Sequence, residues 1–435
     1  MLRSDSFFPS LRRGLLCLCA LRAACAIAGA AEFKFVFNNG PAQEGGTKVT
    51  PHTAYDAKQG FGFLQGTPVN SDQPAVFAVD VEEGNYDVTV RFGDAARVTS
   101  TTLKAESRRL MVEKVETAAG QFETRSFTVN VRKPAIKGGG VTSLNNREKG
   151  APAAPDWDDH LTFEFNGSHP GVASLEIKPA SEALTVFVAG DSTVTDQARE
   201  PYAGWGQMLP RFFQRGVAVS NQAESGLALP SFERQKRLAK ILSMMKQGDY
   251  LFIQFGHNDQ KDKAKGAGPF TTYKANLKKF IAAARGKGGL PVLVSSMERR
   301  HWKGGKLQPS LADYAEAVRQ VGSEDQVPVI DLNAMSIRFY TALGEEASTK
   351  ALVHYPANTF PGQDKPLSDD THHNAYGAYE LARCVVEGIK ASLPKLADHL
   401  TKDSGPFDPA KPDSPDTVHI PPSPVAGRIE KPAGS

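Results

Sequence analysis

Cysteine is nearly absent from this chain, and the few that occur exclude two chemistries. Of four cysteines in 435 residues, Cys17, Cys19 and Cys25 fall within the first 30, which leaves Cys384 alone. One thiol builds neither a disulfide framework nor a Cys/His zinc pattern. Cys384 recurs with Leu381, Val385 and Ile389 at helical spacing, so it reads as a core residue rather than a nucleophile. Long apolar runs are scarce as well: past the N-terminal segment, no stretch reaches the roughly 18 residues that span a bilayer. A dominant charge is also missing. The formal net charge is +3, and residues 1–30 carry four arginines against one aspartate, so the chain without them is formally neutral. That balance excludes an electrostatic nucleic-acid binder.

Residues 1–30 have the parts of an export signal. Arg12-Arg13 form a positive start, Gly14 to Ala20 a short apolar stretch, and Ala28-Gly-Ala30 a small-residue cleavage site. Arg22 interrupts the apolar run and argues against a lipoprotein anchor at Cys25. The expectation is a protein that is secreted or periplasmic, with no membrane association after export.

Two rhythms follow. Residues 31–180 carry partial alternation of apolar and polar residues at Val76–Val81, Tyr86–Phe92, Glu123–Val131 and Leu161–Phe165, separated by Gly- and Asp-rich turns. This predicts an antiparallel β-sandwich. Lys137-Gly-Gly-Gly-Val and the stretch to Pro155 predict a long irregular loop. From residue 184 the pattern changes. Strand-like runs at 185–189, 217–219, 250–255, 291–295 and 327–331 alternate with helical periodicity at Phe232–Met245, Tyr273–Ala284 and roughly 375–392. Strands alternating with helices predict a parallel sheet covered on both faces, here over 184–398. Residues 402–435 are Pro-rich, which predicts an extended or disordered tail.

Three segments carry reactive chemistry. Val186-Phe-Val-Ala-Gly190-Asp191-Ser192-Thr193 is a buried-strand pattern that ends on a serine-bearing turn, where α/β folds expose their chemistry. A serine hydroxyl needs a base to remove its proton. Asp369-Asp370-Thr371-His372-His373-Asn374 offers one twice over: Asp369/His372 and Asp370/His373 both fit Asp-x-x-His, and spacing alone does not choose between them. The carboxylate would accept the Nδ1 proton and stabilise the imidazolium. Asn258, after the run Tyr250–Phe255 and the turn Gly256-His257, puts an amide donor at a strand end, suited to an oxyanion. Gly226, in Asn221-Gln-Ala-Glu-Ser-Gly226, can add a backbone N–H. His257 reads as a structural hydrogen-bonding group. Taken singly, Ser192 is commoner as a turn serine, and the Asp/His segment, Asn258 and Gly226 read equally as a solvated loop, a cap and a turn glycine.

Together, in this order, they resemble the SGNH (GDSL-type) hydrolase superfamily: Gly190-Asp-Ser192, Gly226, Gly256-His-Asn258-Asp259 and Asp-x-x-His. Gly190-Asp-Ser-Thr-Val194, Gly204-Trp-Gly-Gln207, Gly248–Asp259, Arg299-Arg300, Val329-Ile-Asp-Leu332 and Asp369–Ala382 resemble, more narrowly, its rhamnogalacturonan acetylesterases. The resemblance spans about 185–393. It implies a three-layer α/β/α flavodoxin-like domain. Ser192, His372 and Asp369 would be the catalytic residues, since Asn374 and Tyr376-Gly377 align His372 with the family's histidine. Ser192, Gly226 and Asn258 would form the oxyanion hole. No cofactor or metal is implied. The segment before it resembles, more loosely, a galactose-binding-like sandwich, in which Tyr55, Phe61, Phe63 and Tyr86 are candidates to stack on sugars or to fill a core.

One departure stands out. The family commonly has Arg-Ser after the glycine of the second block, where this chain has Leu227-Ala228-Leu229-Pro230. The expected activity is deacetylation of an acetylated plant cell-wall polysaccharide or oligosaccharide, rhamnogalacturonan foremost. The rivals are an esterase acting on acetylated xylan, a short-chain lipase, and a catalytically inactive carbohydrate-binding protein.

Overall fold

The computed structural model describes residues 31–37, 45–66, 71–149, 156–424, 429 and 431–433. The expected leader at 1–30 lies outside them. In the first half, ten strands form two five-stranded sheets. They are β1 (Phe33–Phe37), β2 (Thr47–Val49), β3 (Phe61–Gly66), β4 (Ala75–Asp80), β5 (Gly84–Gly93), β6 (Thr99–Ala105), β7 (Arg109–Thr117), β8 (Phe122–Val131), β9 (His160–His169) and β10 (Val172–Pro179). One sheet has the order β2-β1-β10-β5-β8 and the other β3-β4-β9-β6-β7. All pairs are antiparallel except β1–β2.

Period-2 patterning builds the core between these sheets. In β5 the buried Val88, Val90 and Phe92 alternate with more exposed Asp87, Thr89 and Arg91. Phe77, Phe163 and Phe165 of the other sheet fill the interior with them, together with Phe35 and Phe37 of β1 in the same sheet. Phe63 and Tyr86 are buried, and Tyr55 gives its hydroxyl to Asp80 at 2.9 Å. Phe61 lies 5.0 Å, centroid to centroid, from Phe35.

From residue 184 a parallel sheet takes over: β11 (Leu184–Gly190), β12 (Val217–Asn221), β13 (Tyr250–Gln254), β14 (Leu290–Val294) and β15 (Val329–Ile330). Its order is β12-β11-β13-β14-β15. Alternate residues of the central strands face separate cores. Val186, Val188, Tyr250 and Phe252 pack with helix Ala375–Ser392. Phe187, Ala189, Leu251 and Ile253 pack with helices Arg237–Met244, Lys274–Arg285 and Ala312–Glu324. Helices therefore cover both faces, as continuous apolar strands require. Cys384 is fully buried in the first of these cores.

The strand order places its switch point between β11 and β13. Chain leaves to opposite sides there, and a crevice opens at the carboxyl ends of those strands. Ser192 and Asn258 follow those two ends.

The described residues 402–424 of the Pro-rich segment run through turns and pack on the fold. Phe407 is buried, and Val418 and Ile420 lie against the core that helix Ala375–Ser392 shares with the parallel sheet. The Tyr376 hydroxyl donates to the Asp413 carbonyl at 2.7 Å, and Lys104 Nζ to the Pro421 carbonyl at 2.6 Å.

Candidate active site

The turn after β11 has no room for a side chain at its start. A Cβ on Gly190 would lie 2.6 Å from Val194 Cγ2 and 3.1 Å from the Gln254 carbonyl oxygen. Asp191 then ties the turn down. Its Oδ1 accepts the Thr193 N–H at 3.0 Å and the Thr193 hydroxyl at 2.8 Å. The Gln254 amide donates to Thr193 Oγ1 at 2.8 Å, and Trp205 Nε1 donates to Gln254 Oε1 at 2.6 Å. Residues of the Gly-Asp-Ser-Thr and Gly-Trp-Gly-Gln blocks thus form one buried polar network beneath Ser192. Burial pushes the Asp191 carboxyl up, but His257 and the Thr193 hydrogen bonds outweigh it and hold the group low.

Ser192 Oγ lies 2.8 Å from His372 Nε2, and His372 Nδ1 lies 2.9 Å from Asp369 Oδ2. The local chain explains the spacing. Strand β16 (Leu352–Tyr355) pairs antiparallel with β17 (Leu367–His373). At the end of β17 the Asp369 Oδ1 accepts the backbone N–H groups of Thr371 at 2.9 Å and His372 at 3.0 Å. One carboxylate therefore shapes the turn with one oxygen and orients the imidazole with the other. Asn374 next caps helix Ala375–Ser392 by accepting the Gly377 N–H at 3.0 Å. Burial raises the Asp369 carboxyl, yet its hydrogen bonds and the charge of His372 bring it down to about 2.

The other Asp-x-x-His pair points elsewhere. Asp370 is paired with Arg300 at 3.0 Å and His354 at 2.9 Å. His373 Nε2 meets the Tyr340 hydroxyl at 2.6 Å. His257 lies below the nucleophile turn, with Nδ1 3.3 Å from Asp191 Oδ2.

Gly226 adopts the left-handed φ of +79°, where glycine is favoured. Asn258 Nδ2 donates to the Leu227 carbonyl at 3.1 Å, which joins the second and third blocks. Among the described residues, the backbone N–H groups of Ser192 and Gly226 make no hydrogen bond within the chain. The second Asn258 amide N–H is likewise unpaired among them. Asp259 sits beside this donor. Burial pushes its carboxyl up to about 7, against the Leu229 N–H that it accepts at 3.1 Å.

Several contacts at the site had no signal in the sequence reading. Gln197 donates to the Ser192 carbonyl at 2.7 Å, and the Tyr202 ring packs edge-on against His372 at 5.9 Å. No spacing rule singles out either residue. The C-terminal segment also reaches the site. Lys431 Nζ lies 4.0 Å from Asp369 Oδ2, and a Cβ on Gly226 would lie 3.1 Å from the Ala433 Cβ. Ser192 and His372 are 2% and 1% exposed beneath these surroundings. A cleft of about 480 Å³, lined by Glu113, Lys114, Arg125 and Asp403 among others, contains none of the candidate site residues. Among the described residues, no group of three or more His, Cys, Asp or Glu is placed to hold a metal ion.

Comparison with known proteins gives this geometry a family. Residues 188–378 match the GDSL-like Lipase/Acylhydrolase family. The rhamnogalacturonan acetylesterase RhgT of Bacillus subtilis is 41% identical over 225 residues, which are 51% of this chain and 96% of that protein. A second protein from the same organism, named "Probable rhamnogalacturonan acetylesterase YesY", is 35% identical over 221 residues, 50% of this chain and 98% of its own. The uncharacterized esterase YxiM, also of Bacillus subtilis, is 26% identical over 376 residues, 82% of this chain and 90% of that one. A serine, histidine and aspartate in bonding order at the switch point of a parallel sheet, together with these relatives, establish that the chain belongs to the GDSL-like lipase/acylhydrolase family, among relatives named rhamnogalacturonan acetylesterases.

Proposed function

We propose that this family member is an exported serine esterase that removes acetyl groups from plant cell-wall polysaccharide, with rhamnogalacturonan as the preferred polymer. The observation that carries the reading is the 2.8 Å contact of Ser192 Oγ with His372 Nε2, continued at 2.9 Å from Nδ1 to Asp369. Ser192 Oγ attacks the acetyl carbonyl while His372 Nε2 takes its proton. The Asp369 carboxylate fixes the tautomer and stabilises the imidazolium. The carbonyl oxygen, now an anion, is met by the N–H groups of Ser192 and Gly226 and the Asn258 amide. His372 then gives the proton to the departing sugar oxygen. A water, deprotonated by His372 in its turn, attacks the acetyl-enzyme and releases acetate.

Support for the sugar substrate comes from the named activity of RhgT and from the acetylesterase motif blocks outside the triad. We read the N-terminal sandwich as galactose-binding-like, on the strength of its two five-stranded sheets and aromatic core. Export is supported by the charge, apolar stretch and small-residue site within residues 1–30.

The test is acetate release from acetylated rhamnogalacturonan, homogalacturonan and xylan, with wild type beside Ser192→Ala. Release from rhamnogalacturonan that the substitution abolishes is the expected result. Release from xylan alone keeps the mechanism and moves the substrate. Silence on all three polymers, combined with tight binding to one, overturns the enzyme reading in favour of a carbohydrate-binding protein.

A further inference from the structure

The β6–β7 hairpin of the sandwich does not end at the sandwich surface. Its tip, Glu106-Ser107-Arg108, is buried to within 2% exposure. Leu110, at the start of β7, is fully buried in the hydrolase core rather than in the core between the two sheets. Glu106 and Arg108 both hold left-handed backbone angles, φ 53° and 60°, which non-glycine residues keep only where their surroundings over-determine them. Glu106 exchanges hydrogen bonds with Thr162 of β9, and what surrounds Arg108 is the loop between Ser192 and Trp205.

Arg108 Nη1 donates to the Gln197 carbonyl at 2.8 Å and to the Tyr202 carbonyl at 2.9 Å, while Nη2 pairs with Glu200. The Ser107 carbonyl accepts the Gln207 amide at 2.6 Å, and that same amide donates to the Gln197 carbonyl at 2.9 Å. Each carbonyl held by Arg108 belongs to a residue that touches the site. Gln197 donates its side chain to the Ser192 carbonyl, and Tyr202 packs its ring against His372. One guanidinium nitrogen therefore fixes both arms of the loop, the arm behind the nucleophile and the arm beside the base. The neighbouring Arg109 reinforces it through Asp196 at 2.7 Å, which in turn accepts from Asn221 at 2.8 Å.

We propose that Arg108, carried by the sandwich, is a positioning residue for ester hydrolysis, setting the Ser192–His372 geometry by bridging the Gln197 and Tyr202 carbonyls. The proposal rests on the reading of Ser192 as nucleophile and His372 as base. It makes the sandwich part of the catalytic framework whether or not it binds sugar. Displacing a reacting group by about 1 Å costs on the order of 100-fold in rate without loss of binding contacts. A lysine in this slot keeps a charge but lacks the second nitrogen of the guanidinium, which pairs with Glu200 while Nη1 serves the two carbonyls.

The experiment compares Arg108→Met, Arg108→Lys and Gln197→Met with wild type on a soluble acetyl ester, at a temperature well below every variant's melting point. A probe that acylates active serines reports Ser192 reactivity alongside. Arg108→Met is expected to lower kcat by about 10- to 100-fold with KM within about twofold, and to slow probe labelling in parallel. Arg108→Lys recovers part of the kcat. Gln197→Met, which leaves the hairpin intact, lowers kcat on its own. It carries the test if Arg108→Met fails to fold. A folded Arg108→Met or Gln197→Met with wild-type kcat and labelling, beside an inactive Ser192→Ala, overturns the positioning role and leaves the esterase reading standing. An active Ser192→Ala overturns both.

Discussion

His373 Nε2 lies 2.6 Å from the hydroxyl of Tyr340, and the two rings stack at 6.1 Å with 10° between their planes. The second histidine of the His372-His373 pair is thereby turned into the core, while the first faces Ser192. Alternation along β17 produces this split, since successive side chains of a strand point to opposite faces. Burial, with the nearby charges of His372 and His257 adding to it, pushes His373 down to about 3. It is neutral wherever the protein is folded and working.

That depression has a consequence for acid stability. The unfolded chain takes up a proton on His373 as pH falls through its ordinary value near 6.5, and the folded chain does not until about 3. Stability therefore falls with pH across this window, by about 1.4 kcal/mol per pH unit for one proton. His373→Phe removes the titrating group but orphans the Tyr340 hydroxyl, at roughly 1–3 kcal/mol. The variant is expected to be less stable than wild type at pH 7, with the gap closing and then reversing as pH falls toward 3. Urea titrations at several pH values measure this, and parallel pH curves would refute it.

The two Asp-x-x-His pairs are separable by activity. Asp369→Asn should lower kcat by on the order of 10³–10⁴, because the amide no longer stabilises the imidazolium and favours the wrong tautomer. Asp370→Asn should leave kcat within about threefold, since Asp370 binds Arg300 and His354 near the surface. His372→Ala should be inactive, and His373→Phe active. Asp369 itself, held at about 2, stays a carboxylate at every pH where the protein is assayed. Steady-state kcat on a small acetyl ester decides each of these.

The donors proposed for the oxyanion predict a different pattern. Asn258→Ala removes one amide donor and should cost about 10²–10³ in kcat with little change in KM. Gly226→Ala keeps the N–H but places a Cβ at φ +79° and 3.1 Å from Ala433. About 1–3 kcal/mol of backbone strain results, and the turn shifts to relieve it. Lower thermal stability together with lower kcat is expected for Gly226→Ala, and lower kcat alone for Asn258→Ala.

Elements whose apolar period was unbroken were legible in the sequence. Helix Ala375–Ser392 and strands β11, β13 and β14 fall within a residue or two of their expected positions. Strands β6 and β7 were not foreseen, because their buried positions include Thr99, Thr101, Lys104 and Arg109. A hydropathy pattern scores such residues as surface, and only their partners, Thr117 across the hairpin for Thr99 and the distant Pro421 and Asp196 for Lys104 and Arg109, let them be buried. The helix expected over Phe232–Met245 is two helices, Leu229–Arg234 and Arg237–Met244, broken at Lys236 by a φ of 62° that no residue type there announces. Asp369 and His372 stood out because a three-residue spacing pairs them along the chain, and Ser192 because it ends a buried-strand pattern. Arg108 and Gln197 act through carbonyl groups and long-range contacts, which leave no local pattern.

The proline-rich end of the chain separates two roles. Phe407, stacked under Arg383 at 4.2 Å, and Val418 and Ile420 cover the hydrolase core. Ser423 Oγ bonds Glu164 at 2.9 Å. Beyond them, Lys431 and Ala433 stand at Asp369 and Gly226. Truncation after residue 404 should destabilise the protein by roughly 3–5 kcal/mol, the scale of two or so buried apolar side chains. Truncation after residue 424 keeps those contacts, so its melting point should stay near that of wild type. It removes Lys431 and Ala433 from the site, and kcat/KM should rise, more for acetylated polymer than for a small ester, because a chain substrate needs the space beside Gly226. Equal kcat/KM for polymer in the shorter and full-length proteins would place the segment clear of the substrate path and restrict the function of the tail to stability.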